Sequence, residues 1–327
     1  MNVAVRRFPL LLVSLLAILP LRPIHAQSVA TNPVGYNVFS LPKGSSILVN
    51  TFVQPTAYQS TAASYTSASN SVVTVSNSGS TLTSGSFNET GAEPSYFMEI
   101  LSGSSTGLIV DVLSNTASTI TVNANLSSFG VSGTTSFCIR PHTTLASLFP
   151  PGSGLTANID LLKLYFPNKT SQTYEYTTSY SDGWMNVNTF ADAGSQIIYP
   201  GQGFILVTQS TESVPIMGTV KPGPTIVPLY AGAANIVGTI NPLLTGTQTL
   251  STYGFPAYLT QNLDLVETYS SDGAFTSQTS ESNGTNMFNI NTFADTDTVS
   301  VPPSNAVIVT TQQNEYYTMP SFYTSGN

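Results

Sequence analysis

The chain holds one cysteine and two histidines in 327 residues. A single thiol makes no internal disulfide, so the fold must stand on packing and hydrogen bonds. Cys138, in "TTSFCIRPH", reads as a small buried apolar residue rather than a reactive thiol. Cations are scarce as well, with eight Lys and Arg against 16 Asp and Glu. Only Lys43, Arg140, Lys163, Lys169 and Lys221 lie beyond residue 26, where the net charge is −11. Nucleic acids and anionic membranes need clustered Lys and Arg, so neither is expected as a partner.

Long apolar runs are missing after the first 26 residues, and those residues have a separate reading. "MNVAVRR" is cationic, "FPLLLVSLLAILPL" is apolar and "IHA" precedes Gln27, the pattern of a secretory signal peptide over 1–26. The run is too short to span a bilayer. The expected protein is exported, whether secreted, at the cell surface or periplasmic, with no membrane span once the signal is removed.

What remains is rich in strand signals. Charged residues make up 7% of the chain and apolar ones 41%, while Ser and Thr supply about a quarter. Such a chain can bury a large core and cover it with hydroxyls, the opposite of the disordered signature. "STITVNANL" and "GLIVDVLS" alternate apolar with polar residues at the period of a half-buried strand. "SVVTVS", "GFILVT" and "AVIVTT" are short β-branched runs between turn residues. Helix is limited to "TTLASLF" and "ANIDLLKLY". The fold class is all-β.

An internal duplication organises the chain. "NVNTFADAGSQIIYPGQGFILV" from Asn186 is matched by "NINTFADTDTVSVPPSNAVIVT" from Asn289, and "LTANIDLL" from Leu155 by "LTQNLDLV" from Leu259. Thr-Leu and Phe-Pro pairs precede both copies in the same order. A fainter match, "SSILVNTFVQP" with "ANIVGTINP", marks where each copy starts. The expected architecture is two duplicated, sandwich-like β-sheet units. The first comprises 27–55 plus 141–220, the second 221–327. A small β-barrel or sandwich over 56–140 interrupts the first, since closure removes exposed strand edges. Within this insert, "STLTSGSF" reads as a strand and "AYQSTAASYTSASN" as a loop.

The order "PVGYNVFSLPKGSSILVNTFV", "SYFMEILSGSSTGLIVDVLSNTASTITV", "FCIRPHTTLASLF", then a Trp and "PGQGFILV" resembles an uncharacterised family of exported β-rich proteins, multi-copy in environmental bacteria. The resemblance implies an extracytoplasmic β-protein and carries no activity or catalytic residues. The second copy departs from the pattern, with "PPSNA" in place of "PGQGF".

Candidate chemistry is thin. His142 is the only histidine beyond residue 26, so no multi-histidine metal site forms within one chain. No "GxSxG" elbow accompanies it. Paired carboxylates could serve glycoside hydrolysis, but Asp160 with Asp264, and Asp192 with Asp295, are duplicated equivalents. An acid and a base need unlike environments, so repeat positions fit turn roles better. Asp295 and Asp297 in "FADTDT" are a weak calcium candidate, otherwise solvated turn acids, and no cofactor is expected. Tyr174, Tyr176 and Tyr180 in "TYEYTTSY", with Trp184, either stack on a ligand such as a sugar or pack a core. Phe190 and Phe293 read as anchors of the repeated turn. Three functions stay open: a non-enzymatic surface protein that self-associates or adheres through sheet edges and tyrosine faces, a polysaccharide binder, or a secreted carbohydrate-active hydrolase.

Overall fold

A computed structural model describes residues 33–321, except 77–81, 90, 92, 241–247, 271 and 273–275. The proposed signal peptide lies outside the described residues. Strands dominate, and the only α-helices among the described residues are single turns, Leu145–Leu148 and Phe255–Tyr258.

The two copies form two five-stranded antiparallel sheets with the same strand order. In the first it is Trp184–Asn186, Ser171–Tyr176, Leu161–Tyr165, Gly203–Thr208 and Gly44–Val49. In the second it is Met287–Asn289, Ser277–Ser282, Leu265–Tyr269, Val307–Thr310 and Asn235–Val237. Each sheet is covered on one face by a two-stranded ribbon. The first ribbon joins Val34–Leu41 to Glu212–Thr219, and the second joins Thr225–Leu229 to Glu315–Met319. Between ribbon and sheet lies each unit's core, with Phe39, Leu162, Phe204 and Ile216 in the first and Val227, Val266, Val307 and Tyr317 in the second. The segment "ANIDLLKLY", expected as a brief helix, is not one. Thr156–Asp160 forms a turn and Leu161–Tyr165 a strand, because the Leu162 and Leu164 alternation has period two.

The backs of the two sheets meet over a shared apolar layer of Ile47, Val49, Ile205, Ile236 and Ala306. Their inner edges also exchange backbone bonds. Val49 N–H donates to the Ser304 carbonyl at 2.9 Å, and Gly238 N–H to the Gly201 carbonyl at 3.1 Å. Close approach here is set by two glycines. A Cβ on Gly203 would sit 2.5 Å from Ile236 Cγ2 and 2.8 Å from Ala306 Cβ, and one on Gly238 would sit 2.7 Å from Val49 Cγ1. Each copy supplies one bump and one hole, so the duplicated halves fit although they are no longer identical.

Six strands between Tyr58 and Pro141 close into a barrel, in the order Tyr58–Tyr65, Val72–Val75, Thr119–Val122, Ile109–Asn115, Tyr96–Ile100 and Ser136–Pro141. Register shifts at Ala62/Ser64 and Val112/Ser114 are the bulges that bend strands enough to close a small barrel. The part Tyr58–Tyr65 of "AYQSTAASYTSASN" is therefore a barrel strand rather than a loop, with Tyr58, Ser60 and Ala62 inward, and residues 66–70 stay outside any strand. Small inward side chains hid its alternation. Residues 84–87 of "STLTSGSF" form a turn instead of a strand.

One buried ionic cluster ties the barrel to the chain entering the second unit. Glu99, 2% exposed, accepts Arg140 Nε at 3.0 Å on one oxygen and Lys221 Nζ at 2.9 Å on the other. Arg140 also donates to the Gln54 carbonyl at 2.9 Å, and Lys221 to the Pro224 carbonyl. Cys138 lies beside this cluster, and burial with the neighbouring Glu99 pushes its thiol up to about 12. The thiol is thus a packed group with little thiolate character.

Candidate functional site

The aromatic cluster read from "TYEYTTSY" is corrected by burial. Tyr174 is 1% exposed, Tyr176 5% and Trp184 0%, and all three belong to the first unit's core. Strand alternation aims Tyr174 and Tyr176 at the covering ribbon. There Trp184 Nε1 donates to the Phe149 carbonyl at 3.1 Å, and the Tyr176 hydroxyl to the Pro150 carbonyl at 3.3 Å. Tyr180 lies beyond the strand and donates to the Phe190 carbonyl at 2.6 Å. These tyrosines hold the Phe-Pro segment and the repeated turn, and they form no joint surface for a ligand.

The duplicated acids hold backbone. Asp160 accepts from Thr156 N–H at 2.6 Å and Gln209 N–H at 3.3 Å, and Asp264 accepts from Thr260 N–H at 2.8 Å and Gln312 N–H at 2.9 Å. Each carboxylate thus joins a turn to the end of a neighbouring strand in the same sheet. Asp160 also meets Glu212, and burial together with that second carboxylate raises its pKa to about 6. Asp192 and Asp295 accept from the N–H two residues on, at Gly194 and Asp297. Asp297 in turn accepts the Met287 N–H at 2.7 Å. In the first copy Gly194 stands at that position, and Asp182 reaches across to accept the equivalent Trp184 N–H at 3.4 Å. One carboxylate serves this backbone group in each copy, supplied from opposite sides of the hairpin. Among the described residues no three His, Cys, Asp or Glu side chains gather to hold a metal ion.

Phe190 and Phe293 are also not anchors. They are 68% and 75% exposed, both in the left-handed region at φ 57°. Asn186 and Asn289 side chains accept the N–H groups two and three residues on in each turn, and that curls the chain until the Phe points outward.

The structure gathers a different set of side chains. A cleft of about 560 Å³ opens between the barrel and both sandwich units. The barrel contributes Asp111, Asn123 and Phe129, the first unit Phe166, Gln196, Tyr199 and Gln202, and the second Tyr230, Asn235 and Tyr316. Glu93 stands at its exposed margin. Among the described residues, no Lys or Arg lines it. Cleft volumes of this order suit a small ligand or a few sugar-sized units.

Asp111 is the polar centre of one wall. It projects from the strand Ile109–Asn115, and its carboxylate meets His142 Nε2 at 3.1 Å, Asn123 Nδ2 at 2.8 Å and the Tyr199 hydroxyl at 3.2 Å. Tyr199 packs edge-on against the His142 ring, with centroids 5.0 Å apart. Burial and the adjacent Asp111 carboxylate hold the Tyr199 phenol well above its usual range, so it stays a neutral donor. His142 Nδ1 is buried without a protein hydrogen-bond partner. A Ser-His-Asp relay needs a hydroxyl on that second nitrogen, and none is there. On the opposite wall, Tyr316 is 54% exposed and Phe129 stands perpendicular to it at 4.9 Å.

Sequence reasoning missed this site because its walls come from three segments that no local motif joins. The available signals were an acid, Asp111, inside an apolar strand and a tyrosine, Tyr199, beside the repeated turn.

The molecule is thus an all-β protein, a duplicated β-sandwich with an inserted six-stranded barrel and a cleft where the three meet. No protein-family model, curated protein or solved structure matches the chain. No helix among the described residues is long and apolar enough to cross a membrane.

Proposed function

We propose that this is an exported, non-enzymatic adhesive protein whose cleft grips a neutral, hydroxyl-rich chain, most simply a cell-envelope polysaccharide. One observation carries the reading. The cleft combines exposed aromatic rings, Tyr199 and Tyr316, with the amides of Asn123, Gln196 and Gln202 and with no cation. Aromatic faces suit the apolar side of a sugar ring, amides and phenols suit its hydroxyls, and an anionic ligand would meet the carboxylates of Asp111 and Glu93 with no Lys or Arg beside them. The signal-peptide reading of 1–26 supports export.

A hydrolase is the second reading, favoured by the presence of two carboxylates, Glu93 and Asp111, in one cleft. Against it stands the engagement of Asp111 by three donors, which leaves it a positioning group for Tyr199 rather than a free nucleophile. A glycan-array screen followed by titration with Tyr199→Ala and Tyr316→Ala variants tests the proposal. Loss of either ring is expected to weaken binding about tenfold, because an aromatic contact is worth roughly 0.5–1.5 kcal/mol beyond its area. Binding indifferent to both variants, or no glycan bound, rejects the cleft as the site. Release of reducing ends from a bound glycan selects the hydrolase.

A further inference from the structure

The duplication preserves a pair of buried acids in each unit. Glu212 and Glu315 are equivalent by register, since each opens the second strand of its ribbon, across from Leu41 in one and Leu229 in the other. Each faces the Asp that precedes the central strand of its sheet, Glu212 facing Asp160 and Glu315 facing Asp264. Both Asp side chains are already held by two backbone N–H groups. Glu212, 8% exposed, accepts the Thr156 hydroxyl at 2.7 Å and the Ser210 hydroxyl at 3.1 Å, both on Oε1. Its Oε2 is buried with no hydrogen-bond partner, and so is Oε1 of Glu315. No cation balances either pair. Among the described residues, ion-pair contacts join only Glu99 to Arg140 and Lys221, and Asp111 to His142. No third acid, His or Cys joins either pair to hold a metal ion, so a proton is the simplest counter-charge. The Tyr258 phenol also faces the second pair, and burial with both carboxylates holds it above its usual range, hence protonated.

We infer that each pair keeps one proton between its two carboxyls and so latches a ribbon to its sheet, and that the second latch regulates the cleft. With the proton in place, one acid is neutral and the other an anion. Losing it sets two like charges against each other where little water reaches them. Burial and the Glu212 carboxylate accordingly raise Asp160 to about 6, and burial and Asp264 raise Glu315. A raised folded value means stability that is present in acid and is lost as pH rises, so the latches hold in acid and loosen above it. The two carry different loads. Tyr316 follows Glu315 on the opposite face of its strand, and Tyr230 follows the register partner Leu229. Both tyrosines line the cleft, with Ile226 and Pro228, whereas no residue of the first ribbon does. The regulation rests on the glycan reading of the cleft, and the latch itself does not.

Hydrogen exchange of the ribbon amides in the full-length protein tests the latch. After correction for the intrinsic effect of pH, exchange across Glu315–Met319 and Glu212–Thr219 is expected to quicken about tenfold from pH 5 to pH 7, the effect of one unit of displaced titration. Glu315→Gln makes that side chain permanently neutral and is expected to reduce the rise in the second ribbon alone. Glu212→Gln is expected to do the same in the first alone. A neutral oligosaccharide selected on the array should bind more weakly as pH rises, a dependence that Glu315→Gln reduces and Glu212→Gln leaves intact. Exchange that ignores pH in the unaltered protein overturns the latch, as does a rise that both variants leave equally steep. Binding whose pH dependence responds alike to both variants overturns the link to the cleft. If no glycan binds, the cleft reading falls while the exchange measurement still decides the latch. A failed latch with glycan bound leaves that reading standing.

Discussion

Replacing Glu99 by Gln should be among the most damaging single changes in this molecule. Glu99, Arg140 and Lys221 are 2%, 5% and 1% exposed, and the one carboxylate accepts from both cations at 3.0 and 2.9 Å. A glutamine carbonyl can accept from one of them, while its NH2 then points a donor at the other. Both buried cations are left without a counter-charge. Breaking a buried pair in this way costs about 3–5 kcal/mol. At about 2–4 °C of melting temperature per kcal/mol for a chain of this size, the expected loss is roughly 6–20 °C. Lys221→Met should cost less, because Glu99 keeps Arg140. Adding Lys221→Met to Glu99→Gln should restore part of the loss by removing one of the two stranded cations, while Arg140 stays unpaired. Urea denaturation with calorimetry measures all three. A Glu99→Gln loss below about 1 kcal/mol, the range of exposed ion pairs, would refute the reasoning and mean that water reaches the cluster.

Other expectations follow from the repeat. The folded pKa of Asp160, about 6, lies above its ordinary 3.8, so the folded state holds the proton to higher pH than the unfolded chain. Its contribution to stability is present below about pH 4 and is lost as pH rises through about 6. Burial causes most of the shift, so Glu212→Gln should reduce this pH dependence without abolishing it, read as melting temperature from pH 4 to 7; an unchanged slope would exclude the Asp160–Glu212 contact as a contributor. Gly203→Ala should destabilise by about 1–3 kcal/mol, since the new methyl meets three atoms under 3.0 Å, one of them the Leu48 carbonyl oxygen; a neutral or stabilising result in urea would show that the sheets can slide apart. Phe190→Asn should stabilise by roughly 1 kcal/mol, because asparagine tolerates the left-handed region that Phe190 occupies at φ 57° while exposed. A drop in melting temperature would reveal packing that its exposure hides.

Much of the architecture was legible in the residues. Apolar alternation at period two identified an all-β chain, and gap-free recurrence of "NTFAD" identified the repeat. The matching strand orders follow from that recurrence, because equal patterns of buried and exposed residues pair into equal sheets. Backbone-bonding acids were legible for the same reason. Asp160 and Asp264 act on amides four residues away, within reach of a local reading, and the partner strand end at Gln209 or Gln312 only completes the bond.

Other features could not be read locally. "TYEYTTSY" has the same composition whether its tyrosines face solvent or a covering ribbon, and only the ribbon Val34–Leu41 with Glu212–Thr219 decides for the core. Phe190 looks like an anchor until the Asn186 turn bonds force a left-handed bend that throws it outward. The change from "PGQG" to "PPSN" looks like lost glycine function. Ser304 nevertheless keeps φ 72° where Gly201 has 82°. Asn37 Nδ2 donates to the Ser304 hydroxyl at 2.8 Å, whereas a Cβ at Gly201 would strike Val227 Cγ1 at 2.8 Å. The sequence alone therefore determined the strands, the turns and the twofold repetition, which depend on near neighbours and periodicity. Tertiary structure alone decided which faces meet, where the copies had to differ in order to fit, and which aromatic rings were left in a cleft, because each of these depends on contacts between segments far apart in the chain.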